Sequence, residues 1–383
     1  MLCAVFLFGM LALIKTERKS SVSENRTLAK FEHFTVKSFL NGSFQSNFEN
    51  ALSDQFPKSE TIKNSYGVVI NNMPDFGISR LVCSNRYLSV PGSSQQSRVI
   101  YDCGDYILYR PSGLSREQKD VFGDNIKKYN HVNELANVYY YFVNDSSSYD
   151  FSKDKLTIDY VRMLENGLKG NYHLSAFEFD GYEDYTKYFY KTDHHWNYYG
   201  SYRGYLEICE MLGVGDPLAP SNSYTSKELS YGSHARTLRS YNFDEFFTVY
   251  AFDFPDHGTK INGVSGDYGH YEDFFQHKYN YTKNMNFYAY VYGGNNGEVV
   301  FDFYQPERKN LLILANSFSN PINILLAQHF NKTYVVDLRY YKEEVGRDFS
   351  ISDYIREYEI DDVLFIMTAG FVVNDSSNLG LES

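Results

Sequence analysis

The last third of the chain alternates two kinds of apolar pattern. NLLILA at 310–315, TYVVDLR at 333–339 and DDVLFIMT at 361–368 are short, almost unbroken apolar runs. Runs of this length suit strands buried on both faces. Between them lie INILLAQHF at 322–330, with Pro321 near its first turn, and ISDYIREYE at 351–359, both with helical spacing. NSFSNP at 316–321 makes the first turn. This β-α-β-α-β alternation predicts a parallel sheet covered by helices on both faces.

The rest of the chain is less regular. Apolar residues at Phe44, Phe48, Leu52 and Phe56 recur every four positions and predict a helix ended by Pro57, laid as a stalk onto the main body. Residues 66–110 read as short strands, YGVVI, RLVCS, RYLSV, RVIYD and YILYR, between Gly and Pro turns. A helix is expected over 118–137, a strand at NVYYYFV (137–143) and a helix within 156–170. Tyr202, Tyr205, Leu206, Cys209 and Leu212 form another helical stripe, with Gly213 as its stop. Residues from about 215 to 300 are rich in Gly, Tyr and Asp with weak periodicity, and read as an irregular insertion containing some strands.

MLCAVFLFGMLALI carries no charge and is followed by KTERK. It is short for a spanning helix and suits an export signal or membrane anchor. The expected organisation is an anchor segment at 1–16, a juxtamembrane stalk and helix at 17–65, and an α/β domain at 66–383 with the insertion inside it. The body is then extracytoplasmic, tethered or secreted, with membrane contact only through its N-terminal segment.

Composition narrows the class. The 383 residues are 43% hydrophobic and 22% charged, which suits a globular protein with a substantial core. The net charge of −12 and the lack of a concentrated basic patch exclude nucleic acid as a natural partner. Tyr (37) and Phe (30) are abundant; most such rings serve cores and sheet surfaces, and a surplus of exposed Tyr suits sugars. Beyond Cys3, the cysteines Cys83, Cys103 and Cys209 have no metal-type spacing, and a Cys83–Cys103 disulfide and free buried thiols are both open.

Two short stretches carry candidate chemistry. Ser317 follows a strand that turns toward a helix, where parallel sheets place their ligand sites and where backbone N–H groups can hold an oxyanion. A turn or capping serine is the plainer alternative. KTDHHWNYYGSY at 191–202 places Asp193 two residues before His195. In an extended segment the two point the same way, and the carboxylate can hold the imidazole in the tautomer a serine base needs. His194 then faces away as a structural residue, and Trp196 packs beneath the loop. Asp193, His194 and His195 are also a conceivable ligand set for a metal, but a fourth ligand is missing at short spacing, and no metal or cofactor is expected.

TDHHWNYYGSYRGY resembles the signature of the DHHW family of bacterial surface proteins, which is similar to the alginate O-acetylation proteins and other SGNH-hydrolase-like acyltransferases. ENRTLAKF, DQFPKSE at 54–60, GGN at 293–295, the serine turn and the following DLRYY fit the same pattern, from about Glu24 to Met367. The resemblance implies an SGNH-like α/β fold with a triad of Ser317, His195 and Asp193, in the order Asp-His before Ser. Its Gly-Asp-Ser triplet is replaced here by Ala315-Asn316-Ser317. It also implies Asn295, Asn316 and Arg339 as substrate-binding or oxyanion residues. The expected activity is O-acetyl transfer to, or ester hydrolysis on, a cell-surface glycan, with the glycan or an acyl-donor protein as partner. The competing reading is a catalytically silent surface protein that binds a glycan or protein with the same fold.

Overall fold

The computed structural model describes residues 19–21, 26–31, 33–40, 42–55, 86–88, 100–102, 106–109, 111, 113–151, 155–238 and 241–382. The expected anchor at 1–16, the strands YGVVI and RLVCS, Phe56, and the Cys83–Cys103 question lie outside them. No helix among the described residues is long and apolar enough to cross a membrane.

An eight-stranded sheet organises the body. Its strands, numbered in chain order, are β1 (Asn137–Val143), β2 (Tyr172–Phe177), β3 (Gly258–Ile261), β4 (Val264–Ser265), β5 (Glu298–Asp302), β6 (Leu311–Ala315), β7 (Lys332–Val336) and β8 (Asp362–Met367). The order across the sheet is β4-β3-β5-β7-β6-β8-β1-β2. Strands β7, β6, β8, β1 and β2 run parallel, as the apolar runs predict. Strands β5, β3 and β4 extend one edge antiparallel. The region expected to be an irregular insertion therefore builds part of the main sheet. Its strands are short and only partly buried, so their apolar signal is weak.

Helices cover both faces. They include α2 (Arg116–Val132), α3 (Tyr160–Gly167), α4 (Gly181–Tyr188), α5 (Tyr198–Leu212), α6 (Asn323–Ala327), α7 (Leu338–Val345) and α8 (Ile351–Glu357), while α1 (Ser43–Gln55) lies earlier in the chain. Strand β6 shows the two-sided burial: Leu311, Ile313 and Ala315 join one core with Phe177, Trp196, Tyr205 and Leu325. Leu312 and Leu314 join the other with Ile126, Tyr129, Leu164 and Phe365. Alternate residues of a strand point to opposite faces, so an all-apolar run is the signature of such a strand.

Several ends differ from expectation. TYVVDLR is strand only to Val336; Asp337 then accepts from the Arg339 N–H and opens α7. Its carboxylate offers the helix a cap that the strand cannot use. α1 forms where its stripe predicts, and Phe44 and Phe48 meet Phe34 and Phe31 of the preceding segment. From the strand-rich reading of 66–110, Arg86–Leu88, Ile100–Asp102 and Ile107–Tyr109 form a three-stranded antiparallel sheet. A long hairpin, Asn222–Leu229 with Phe246–Ala251, stands apart from the main sheet over its own aromatic cluster of Phe247, Phe274, Phe287 and Tyr288.

Candidate active site

The serine arrives from β6. After Ala315 the backbone enters a 3-10 turn, Ser317–Ser319, which Asn316 caps by accepting from the Phe318 N–H at 3.1 Å. The other end of the Asn316 amide donates to Thr368 Oγ1 at 3.1 Å, tying this loop to the end of β8. Ser317 stands at the head of the turn, at the carboxyl end of a central parallel strand. Ser319 is not a helix cap: its buried hydroxyl donates to the Asn316 carbonyl at 3.1 Å inside the same turn.

Asp193 and His195 arrive on the loop between α4 and α5. This segment is a tight bend, not the extended strand the spacing suggests. A bridge between Phe189 and Trp196 closes it, with Tyr190 N donating to His195 O at 3.2 Å and Asn197 N to Tyr188 O at 2.7 Å. Asn197 then caps α5, accepting from the N–H groups of Tyr199 and Gly200. Trp196 is fully buried beneath the loop, edge-on to Phe177, as expected. The bend still brings the pair together, because Asp193 Oδ1 accepts from both the backbone N–H (3.2 Å) and Nδ1 (2.6 Å) of His195.

The two loops meet in one hydrogen-bonded chain. His195 Nε2 lies 2.8 Å from Ser317 Oγ. Burial works against the Asp193 charge, but the neighbouring His195 and His194 rings outweigh it and hold the carboxyl well below its ordinary value. An ionised Asp193 accepts the hydrogen bond from Nδ1–H, which leaves Nε2 to accept from the Ser317 hydroxyl. Asp193 Oδ2 accepts from the Ser233 N–H at 2.6 Å. Gly232, just before it, passes so close that a Cβ would stand 2.4 Å from Asp193 Cβ and 2.5 Å from the Thr192 carbonyl oxygen.

The surroundings add groups that sequence reasoning did not single out. The ring of Tyr288 stacks on the His195 imidazole, 3.9 Å between centroids, and its hydroxyl donates to the Ser317 carbonyl at 2.8 Å. Glu245 is buried and accepts from Lys191 N at 2.5 Å, Thr192 N at 3.1 Å and Thr192 Oγ1 at 2.5 Å. Burial pushes its carboxyl up to about 7, against the pull of those hydrogen bonds. Tyr288, Ser233 and Glu245 all come from the stretch with weak periodicity, and nothing local in it marks them.

A cleft of about 220 Å³ opens over Ser317, lined also by Tyr109, His194, Asn316, Arg339 and Thr368. His194 does not simply face away: its ring lies 3.9 Å from that of His195, and its Nδ1 bonds Ser233 Oγ at 2.8 Å. Arg339 reaches this cleft and is forked to Asp337, Nε to Oδ1 at 2.8 Å and Nη2 to Oδ2 at 2.5 Å. Asn295 is exposed, donates to Tyr340 Oη at 3.4 Å, and lines a separate small void behind Asn316. Asp193, His194 and His195 present ligand-type atoms within 4.8 Å of one another, the donor set a metal would use. The Nδ1 atoms of both rings and His195 Nε2 already hold protein hydrogen bonds.

The body is thus a mostly parallel α/β sheet with a serine at one strand end and an Asp-x-His loop facing it. Among solved structures, the chain shares its fold with a DHHW family protein from Eubacterium siraeum DSM 15702, at 22% identity over 75% of this chain and 96% of that one, TM-score 0.53. It also shares it with Bacillus cereus PatB1 bearing a sulfonyl adduct, at 20% identity over 73% and 97%, TM-score 0.56. The O-acetyltransferase domain of Pseudomonas putida AlgJ matches at 10% identity over 70% and 90%, TM-score 0.38. No protein-family model and no curated protein matches the chain. The family resemblance read from the DHHW stretch thus agrees with the fold.

Proposed function

We propose that this protein is an exported, serine-dependent O-acyltransferase or O-acetylesterase that acts on a cell-surface glycan. The observation that carries the reading is the unbroken chain from Ser317 Oγ through His195 to Asp193, at 2.8 and 2.6 Å. In the first step His195 Nε2 takes the Ser317 proton as Oγ attacks the acyl carbonyl. The Ser317 N–H, at the head of its turn, and the second hydrogen of Asn316 Nδ2 serve the tetrahedral oxyanion. The leaving oxygen then takes the proton from His195, and the acyl group stays on Ser317. In the second step His195 deprotonates water or a sugar hydroxyl, which attacks the acyl-serine and releases Oγ to be reprotonated. Arg339 serves substrate binding from the wall of the cleft.

The hydrogen bonds already made by the imidazole nitrogens favour this triad over a metal site at the same residues. The sulfonyl adduct on the Bacillus cereus neighbour suggests the probe, since sulfonyl groups are captured by activated nucleophiles. The test incubates the full chain with an acetyl-ester reporter and with a sulfonyl fluoride, followed by mass mapping. Turnover that stops as Ser317 becomes sulfonylated supports the reading. Absence of turnover with any acetyl ester, together with an unlabelled Ser317, makes the silent glycan- or protein-binding alternative the better one. Export through the N-terminal run is tested by cell fractionation, where a wholly cytoplasmic product overturns it.

A further inference from the structure

We propose that a second cleft, which shares no lining residue with the one over Ser317, binds an amine-bearing oligosaccharide. Its volume is about 730 Å³, within the range of sites that enclose small ligands, roughly 300–1,000 Å³. One wall is aromatic. Tyr198 and Tyr202 of α5 meet Tyr250 of the long hairpin edge-on, at 4.8 Å and 84° and at 5.6 Å and 77°, and Phe252 continues the series beside Tyr202 at 5.9 Å. The rings thus brace one another, and all four line the cleft. Ile324 and Leu325 of α6 complete an apolar floor.

The lining is also acidic. Asp267, Glu272 and Asp273 belong to it, and among the described residues neither Lys nor Arg does. Among the described residues the basic side chains there are His257, whose Nδ1 bonds the Pro255 carbonyl, and His270, 3.6 Å from Asp273. Aromatic faces carry the negative part of the ring quadrupole, so rings and carboxylates together select a cation. A single small ammonium needs one ring cage. Several rings and several carboxylates lining one cleft match a chain of pyranose units, each with an apolar face and a polar rim bearing an amine. The inference is independent of any chemistry at Ser317.

The test is calorimetric titration of the full-length Ser317→Ala protein, so that turnover plays no part, with a glucosamine tetrasaccharide. Its fully N-acetylated counterpart and tetramethylammonium are the comparison ligands. The expected result is binding of the amine form at least about tenfold tighter than either comparison ligand. Tyr250→Ala and the double change Asp267→Asn with Glu272→Gln should each weaken it by about tenfold or more. The double variant alters two exposed side chains and spares the fold, so it remains informative if Tyr250→Ala is unstable. Equal affinity for the N-acetylated form, equal affinity for tetramethylammonium, or no binding overturns the proposal. So does unchanged affinity in the double variant, which would mark general attraction to a chain of net charge −12. In the Ser317-containing protein, Tyr250→Ala should leave turnover of a small ester reporter unchanged, which separates this cleft from the triad.

Discussion

The two loops that meet at His195 and Ser317 are held by different means. The serine turn is positioned mainly locally: a fully buried parallel strand delivers it and Asn316, one residue away, caps it, with Thr368 on the Asn316 amide and the Tyr288 hydroxyl on the Ser317 carbonyl as its two distant ties. The Asp-His loop is positioned from afar. Glu245, 53 residues on, clamps Thr192; Ser233, 40 residues on, holds Asp193; Tyr288 covers the imidazole. A nucleophile can thus be fixed by topology, whereas its base depends on a buried polar network drawn from the irregular part of the chain. Such networks have large effects when one member is lost.

The largest effects fall where the loops touch. Ser317→Ala and His195→Ala should each lower acetyl-ester turnover by a factor on the order of 10³ or more, and the double variant should be little worse, because triad members act as a unit. Steady-state kinetics with thermal melts separates this from unfolding; additive losses would break the pairing of the loops. Next comes Gly232→Ala. Its new methyl collides with Asp193 and the Thr192 carbonyl, and a displacement near 1 Å at a catalytic group costs about 10²-fold. The far-held loop should move while the serine turn does not, so sulfonylation of Ser317 should slow and the melting temperature fall modestly.

Legibility in the sequence follows the same division. β1, β6, β7 and β8 announce themselves because two-sided burial demands unbroken apolar runs such as Leu311–Ala315. Asp193, His195 and Ser317 stand out through residue type and spacing. Tyr288 and Ser233 do not, since a stacked ring and a backbone N–H leave no pattern along the chain. β3 and β5 escaped for a related reason: no residue of β3 is fully buried, and β5, though inside the sheet, is five residues long with Val300 and Asp302 partly exposed, so neither carries a strong apolar pattern. Asn295, placed with the site by resemblance, has its side chain on Tyr340 instead.

A smaller effect concerns Glu245. Its folded value of about 7 lies above the 4.5 of an ordinary glutamate, so the native state binds the extra proton. Its contribution to stability is therefore complete below about 4.5 and is lost as pH rises through about 7. Melting temperatures across that window should decline less in Glu245→Gln than in the parent; an identical decline would show that another group titrates. Ser319→Ala is the smallest. It removes one hydrogen bond within the serine turn and should cost about 1 kcal/mol of stability in chemical denaturation while leaving turnover largely intact. A large loss of turnover would mean that the local turn is as fragile as the distant clamp.

Trp196 is the chain's single indole. It sits next to His195, fully buried, with its ring 5.9 Å from Phe318 on the serine loop. Excitation at the red edge, where tyrosine does not absorb, therefore reads this junction alone in an unlabelled protein. A shift of emission to longer wavelength ahead of the loss of circular dichroism would time the parting of the two loops from the melting of the sheet.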